Sequence, residues 1–495
     1  MKILLVAPPI MDYVEGQLCP IAMDATRECP PYGIYSLARI LKDNGYEVVL
    51  ADLIARGSND IQSFLPDLHD CSLVGIGATT LSWPTARDVI KQIRQVRGDV
   101  PIVLGGIHPT MFDRHILDNF PVQFVIRGEA EIAVTALCRV LENHQELSEV
   151  PNLSWRDNGG RIIRNPLGPL IPGNELASFP LPDYSELPAG VYKALSIESS
   201  RGCAFDCAFC STSYRRSWRA MPAESFVDRL ALVMEHADRV ENPAIHIVDD
   251  EFSTNPKRVL AIVDHIRRRG MTPQLVYDSR ATDLLADGFV ANIAEFTHRF
   301  LVGAECGYDE GLQRAGKRTS TRVLEDAARK LYEFGISQRA DFSFIIGLPW
   351  ETRTEVEKTI RFAMHLLGNY GVHVLLQWYC EIPGSRLWQE ERDKQLVNEA
   401  MYDDYGFFRD LYLFRTGVQV DPRDIWEITE MLDKLLLVTK VPYRHEEMIE
   451  FALPDPIAAY FPRQTFSEND TGLGSLREVS RPPLRVGIPR RRITA

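Results

Sequence analysis

Short, wholly apolar runs alternate with amphipathic stretches over residues 1 to about 145, and the same alternation resumes after residue 195. Apolar runs without polar interruption suit strands buried on both faces of a parallel sheet, and the stretches between them suit the crossover helices. In the first region "KILLVA", "EVVLAD", "LVGIGA", "PIVLGG" and "FVIRG" read as strands. Ile34, Leu37, Ala38 and Leu41 recur at helical spacing, and Asn44-Gly45 closes that helix. Ser82 is placed to cap a second helix, with Pro84 in its first turn and Ala86, Val89, Ile90, Ile93 and Val96 as its apolar stripe. The expectation is a five-stranded, doubly wound α/β domain over 1–145, with ligand loops at the carboxyl ends of its strands.

Those loops are "APPIMDY", "ATTLSWP", "GGIHPT" and "RGEAE". Pro9, Thr79, Thr80, Ser82, Gly105, Gly106, His108, Arg127, Gly128 and Glu129 are the candidate ligand contacts, because small and hydroxyl residues let a large molecule approach the backbone. Glycine after a strand also serves as a plain turn, and that alternative stands beside the first.

Residues 146–194, with prolines crowded between 165 and 188, read as a linker. "ALSIESS" then leads into five further strands, "AIHIVDD", "QLVYDSR", "RFLVGAEC", "DFSFIIGLP" and "VHVLLQWYC". Helices fit between them at 223–239, 256–270, 282–296, 322–335 and 353–369. Six βα units make a partial (βα)6 barrel over 195–390, with its function at the carboxyl ends of the strands. The 495 residues carry 55 basic and 68 acidic side chains, a net charge of −13 that argues against a general nucleic-acid binder. No stretch reaches about 18 uninterrupted apolar residues, so no membrane span is expected. The opening "MKILLVAPP" breaks at Pro8-Pro9 without a signal-peptide cleavage site, and nine cysteines in so long a chain do not form a secreted disulfide framework. A reducing cytoplasm is the expected setting.

"SSRGCAFDCAFCSTSYRR" places Cys203, Cys207 and Cys210 within eight residues. A structural zinc site completes four protein ligands, and no fourth stands near. Three thiolates suit a 4Fe–4S cluster one cysteine short of its usual set, which leaves one iron open.

The C-x-x-x-C-x-x-C spacing, with Phe209 before the last cysteine, is similar to the signature of the radical S-adenosylmethionine superfamily. "IHIVDDEFSTN", "DSRATDL", "GAECGYDEGLQRAGKRTS", "IIGLPWETRTE" and "EIPGSRLW" resemble its cobalamin-dependent branch. In the first region "PPYGIYSLARILKDNGYEVVLAD", "VLGGIHPT" and "VIRGEAE" resemble the cobalamin-binding domain that precedes such enzymes. The D-x-H-x-x-G loop of other cobalamin domains is absent. The first loop reads "MDYVEG", so cobalamin without a histidine on its lower face is implied, and His108 is expected to be a loop residue or a corrin contact. The resemblance implies a metal-binding set of Cys203, Cys207 and Cys210, and S-adenosylmethionine bound at the open iron. Asp249, Asp250 and Glu251 could meet its ammonium or ribose, Arg280 its carboxylate and Glu305 its ribose hydroxyls. Each acidic residue has a plainer reading as a helix cap or a barrel ion pair. Cys306 stands where the family usually has serine, and it and Cys380 are expected to be buried thiols.

After residue 390, "MYDDYGFFRDLYLF" could close over the barrel mouth or fill a helical core, and "IWEITEMLDKLLLVTK" reads as an amphipathic helix. A small helical cap over 391–463 and a disordered basic tail over 464–495 are expected. Together these features imply a cobalamin-dependent radical methyltransferase acting on an unactivated carbon of a small molecule, with a flavodoxin or ferredoxin as electron donor. Ring contraction, cyclisation or rearrangement with the same cofactors is the alternative, and a binding protein without turnover is the other.

Overall fold

The computed structural model describes residues 1–14, 17–20, 29–157, 159–405 and 419–421, with 424, 425, 427, 428, 431 and 432 beyond them. Two compact units divide the chain: Met1–Phe205, Ser211–Tyr277 and Asn398–Tyr405 form one, and Asp206–Cys210 with Asp278–Val397 belong to the other.

In the first unit the five expected strands form β1 (Lys2–Ala7), β4 (Glu47–Asp52), β5 (Leu73–Gly77), β6 (Ile102–Gly105) and β7 (Phe124–Ile126). They run parallel in the order β4-β1-β5-β6-β7. Their apolar side chains enter a core with Ile3, Leu5, Leu73, Val103 and Leu137 at its centre. Between β1 and β4 lie a hairpin, β2 (Met11–Val14) and β3 (Gln17–Pro20), and helix α1 (Tyr32–Asp43). Helix α1 ends at Asn44, as its sequence predicts, and buries Ala38 and Leu41. Helix α2 (Trp83–Val96) follows β5, α3 (Ile107–Asn119) follows β6, and α4 (Glu131–Asn143) follows β7.

The sheet has seven strands rather than five. Part of the expected linker forms β8 (Leu153–Arg156), antiparallel to β7, and β9 (Ile162–Arg164), antiparallel to β8. Each is a hairpin strand of four residues or fewer, with β9 at the sheet edge, too short to show a period beside the prolines that follow. Ser82 flanks α2 but its side chain does not cap it; Ser82 Oγ instead accepts from the Thr79 backbone N–H at 3.0 Å. Gly106 is required by the β6–α3 turn. Its φ is +97°, and a Cβ there would lie 2.5 Å from the Ala78 carbonyl oxygen.

The second sheet runs β10 (Leu195–Ile197), β13 (Ala244–Ile247), β14 (Gln274–Ser279), β15 (Thr297–Glu305), β16 (Ala340–Ile346) and β17 (His373–Trp378), in chain order. The pairs β10–β13, β13–β14, β15–β16 and β16–β17 are parallel. This is the expected partial (βα)6 barrel topology. Two short strands, β11 (Ser200–Arg201) and β12 (Arg219–Ala220), pair antiparallel around the cysteine loop. Helices α5 (Ala223–Met234), α6 (Pro256–Arg268), α7 (Ala281–Leu284), α8 (Phe289–Ile293), α9 (Asp309–Arg314), α10 (Thr321–Glu333), α11 (Arg353–Tyr370) and α12 (Arg386–Asp393) make the crossovers and the exit. The helix expected over 282–296 is broken in two, because Gly288 adopts φ +68°. Of the expected cap, the described residues include α12 and a single turn at Glu399–Tyr402. Phe407 to Phe414, most of the "IWEITEMLDKLLLVTK" helix and the 464–495 tail lie outside the described residues. Among the described residues no helix is long and apolar enough to cross a membrane.

Candidate functional site

The cysteine loop leaves β11 through Gly202, whose φ is +76° and whose position leaves no room for a Cβ against the Tyr214 and Ser217 carbonyl oxygens, 2.7 and 2.6 Å away. Cys203 is half-buried. Its backbone N–H donates to Tyr214 O and its carbonyl accepts from Ser217 N–H, both at 3.2 Å, so the loop closes on itself. Asp249, just beyond β13, is buried and accepts from Ser199 N–H, Ser199 Oγ and Ser200 Oγ, all at 2.6 Å. Burial pushes its carboxyl upward, against the pull of those donors. These bonds tie it to the strand that precedes Cys203. Glu251 accepts from Ser253 N–H and Oγ at 3.2 and 2.7 Å, the plainer helix-cap reading of that residue. Asp250 is the exposed member of the trio, and it accepts from Gly202 N–H at 3.1 Å.

One residue that sequence reasoning passed over is Arg201, beside Gly202. Its guanidinium, 16% exposed, reaches Glu198 at 2.7 Å, Glu131 at 2.5 Å and Glu129 at 3.2 Å. Burial opposes its charge, and Glu198 and Glu131 outweigh burial, so it is held as a cation. Glu129 also accepts from Arg219 at 2.8 Å and from Ile171 N–H at 2.8 Å. Glu129 was expected at a cofactor; in the structure its carboxylate pairs with Arg201 and Arg219. Of the carboxylates around Arg201, Glu198 is three residues away but Glu129 and Glu131 are 70 or more residues distant in sequence, and no local pattern links those two to it.

In the second unit Cys207 is buried and Cys210 half-buried, with Cys210 N–H donating to Cys207 O at 3.3 Å. Ala208 N–H donates to Ala315 O at 2.8 Å, and Leu387 N–H to Ala208 O at 3.0 Å. Phe209 between them is half-buried. Arg280, just after β14, is buried and donates to the Lys317 carbonyl. Glu305 ends β15 with φ +65°, and its Oε1 accepts from Lys317 Nζ at 2.8 Å. Lys317 was not foreseen. Burial opposes its charge, but Glu305 and Cys207 outweigh that and keep its ammonium above the ordinary lysine value. Cys306 is a buried thiol that desolvation pushes well up, as expected of it.

Among the described residues no three of His, Cys, Asp and Glu converge on a single metal ion. A four-iron cluster does not require that, since each thiolate binds a different iron. A pinned loop offering three cysteines within eight residues fits the donor chemistry of such a cluster.

At the first sheet the candidate residues separate into two sets. Pro9, Thr80 and Ser82 are buried beyond their strand ends, whereas Thr79 is exposed after β5. A Cβ at Gly105 would meet nothing within 4 Å, so open space lies at the end of β6. Gly128 faces the Tyr214 hydroxyl, 3.0 Å from where its Cβ would be. Arg127 is turned inward, paired with Asp113 and donating to Asn165 O. His108 corrects its expectation: it lies in the first turn of α3 rather than in a loop. It is fully buried and stacked on Trp83 at 4.9 Å between ring centroids. Burial pushes its imidazole well down, so it is neutral, and neither ring nitrogen has a hydrogen-bond partner among the described residues. The open edge at Thr79 and Gly105 suits a large planar ligand carried without a histidine.

The B12 binding domain family matches residues 19–138, and the Radical SAM superfamily matches residues 197–363. The chain is 31% identical over 399 residues to an uncharacterized methyltransferase of Pyrococcus horikoshii, covering 79% of this chain and 83% of that protein. It is 25% identical over 403 residues to an anaerobic magnesium-protoporphyrin IX monomethyl ester cyclase of Rubrivivax gelatinosus, covering 76% and 69%. Among solved structures, a radical S-adenosylmethionine methyltransferase from Kitasatospora setae, with cobalamin and a 4Fe–4S cluster bound, matches with a TM-score of 0.63 over 79% of this chain and 75% of that one. Its sequence identity is 19%, so the likeness is one of fold.

Proposed function

This chain belongs to the family of cobalamin-binding radical S-adenosylmethionine enzymes, and from that premise we propose that it is a methyltransferase acting on an unactivated carbon of a small molecule. The observation that carries methyl transfer is the 31% identity to a methyltransferase across 83% of that protein, which spans both cofactor segments. Cys203, Cys207 and Cys210 hold the 4Fe–4S cluster, and a three-cysteine set leaves one iron for the amino and carboxylate groups of S-adenosylmethionine. The chemistry these groups supply when bound is reductive cleavage of S-adenosylmethionine to a hydrogen-abstracting 5′-deoxyadenosyl radical, with cobalamin as methyl carrier.

The chain's own residues do the positioning. Asp249 fixes the two serines before the cysteines, and Arg201 ties that strand to Glu129 and Glu131. Asp250, exposed beside Gly202, is the carboxylate placed to accept from an ammonium group. Thr79 and Gly105 border the space that receives cobalamin. Flavodoxin or ferredoxin chemistry would deliver the electron. The cyclase of Rubrivivax gelatinosus, matched over 76% of this chain, supports ring formation as the second reading.

The test is anaerobic reconstitution with iron, sulfide and hydroxocobalamin, then reduction with S-adenosylmethionine bearing a deuterated methyl group, over a panel of candidate substrates. The proposal expects 5′-deoxyadenosine, S-adenosylhomocysteine and a labelled product, with deoxyadenosine lost when all three cysteines become alanine. Deoxyadenosine with an unlabelled product would replace methyl transfer by the ring-forming reading.

A further inference from the structure

A lysine and a glutamate face each other in the interior of the second unit, away from any solvent-exposed role. Lys317 and Glu305 are each 7% exposed, with Nζ and Oε1 2.8 Å apart. Such a pair contributes little net stability, because removing both charges from water offsets their attraction. It is also held at a cost. Glu305 has φ +65° after a register shift in β15, a left-handed conformation that persists only where its surroundings impose it. A Cβ on Gly303 would lie 2.5 Å from both Glu305 Oε1 and Lys317 Nζ, so the pair is packed onto bare backbone.

The segment carrying Lys317 is fastened to the cysteine loop. Ala315 O accepts from Ala208 N–H at 2.8 Å, and a Cβ on Gly316 would lie 3.2 Å from Asp206 O and 3.9 Å from Cys207 Cα. Lys317 N–H is itself fixed to Leu312 O at 3.0 Å, and its carbonyl accepts from Arg280. The backbone just before this buried cation is thereby fixed against Cys207, and the ammonium itself is paired with Glu305 on the β15 side.

We propose that the Lys317 ammonium sets the reduction potential of the cluster from the Cys207 side, with Glu305 tempering its charge. On reduction one electron enters the cluster from the external donor and no group leaves, so the added negative charge must be stabilised by its surroundings. A nearby fixed cation in a low-dielectric interior favours the reduced form, and potentials of iron–sulfur centres respond to local charge in this way. Lys317 is a positioning residue in this scheme, acting through the cluster. The inference rests on the three-cysteine cluster proposed above.

The test is a redox titration of the reconstituted full chain, without S-adenosylmethionine, followed by electron paramagnetic resonance of the reduced cluster. Iron and sulfide content of the wild type is measured first; absence of a four-iron cluster overturns the reading of the loop itself. With the cluster present, Lys317→Gln is expected to lower the ratio of reduced to oxidised cluster at least tenfold at a given potential, about 59 mV for a one-electron couple. Glu305→Gln, which leaves the ammonium unbalanced, is expected to move the ratio the opposite way, and Lys317→Arg to keep it within about threefold of wild type. A structural role alone would not give opposite signs. Shifts in one direction for both glutamine variants, or shifts under about threefold, overturn the proposal. If Lys317→Gln holds no cluster, the sign of the Glu305→Gln shift decides; if neither holds one, the pair serves folding alone and the proposal fails.

Discussion

Replacing Arg201 with methionine removes a cation from among three carboxylates while keeping most of its apolar stem. The guanidinium touches Glu198 at 2.7 Å, Glu131 at 2.5 Å and Glu129 at 3.2 Å, and those carboxylate side chains are only 8–9% exposed. Glu129 retains Arg219 at 2.8 Å; Glu131 and Glu198 lose the guanidinium between them. Stranding a buried charge costs about 3–5 kcal/mol, a large part of the roughly 5–15 kcal/mol that holds a domain folded. In urea denaturation followed by tryptophan fluorescence, a slope of about 2–3 kcal/mol per molar turns that loss into a midpoint lowered by roughly 1–2 M. Arg201→Lys should fall between, since one ammonium cannot reproduce a fork that bridges several carboxylates. The reconstituted Arg201→Met protein should also lose iron faster, because Arg201 adjoins the Gly202-Cys203 turn. A loss below about 1 kcal/mol would refute the reasoning: the network would then stabilise no more than a surface pair.

Asp249→Asn can keep an oxygen for Ser199 N–H but turns its NH2 toward the Ser199 and Ser200 hydroxyls, which both donate to Asp249 now, so the expected cost is about 1–3 kcal/mol, with faster iron release and unchanged far-ultraviolet circular dichroism. Glu381 is buried just after β17, and burial pushes its carboxyl up to about 8. Its folded value exceeds the unfolded one, so its contribution is full below the unfolded value and is lost as pH rises through about 8. Denaturation midpoints should therefore fall from about pH 4.5, the ordinary carboxyl value, to about pH 8 and level off above it, with a limiting slope of about 1.4 kcal/mol per pH unit from this group, and Glu381→Gln should flatten that fall. Gly106→Ala must place a Cβ 2.5 Å from the Ala78 carbonyl oxygen at φ +97° and should lose about 1–3 kcal/mol. Gly105→Ala meets nothing within 4 Å, so it should fold as wild type and weaken cobalamin uptake, read by absorbance after gel filtration.

Most of the strands were legible because burial on both faces makes them continuously apolar, so "KILLVA" and "EVVLAD" coincide with β1 and β4. The hairpin strands β8 and β9 were not, being short, amphipathic and flanked by prolines. Helix breaks depended on single glycines such as Gly288, whose conformation no periodicity announces.

The site divides along the same line. The spacing of Cys203, Cys207 and Cys210 is local, and a cluster-binding loop needs its ligands on one short segment, so the proposed cluster ligands are readable from sequence alone. It also determined that Asp249, Arg280 and Glu305 fall at strand ends, because that follows from strand position. What each charged residue does was decided by tertiary structure. Asp249 was expected at a cosubstrate and holds two serines; Glu129 was expected at a cofactor and holds two arginines; His108 was expected in a loop and stacks inside on Trp83. Arg201 and Lys317 drew no notice at all. A charge is defined by its partners, and the partners of these side chains come from segments that only the folded chain brings within hydrogen-bonding distance.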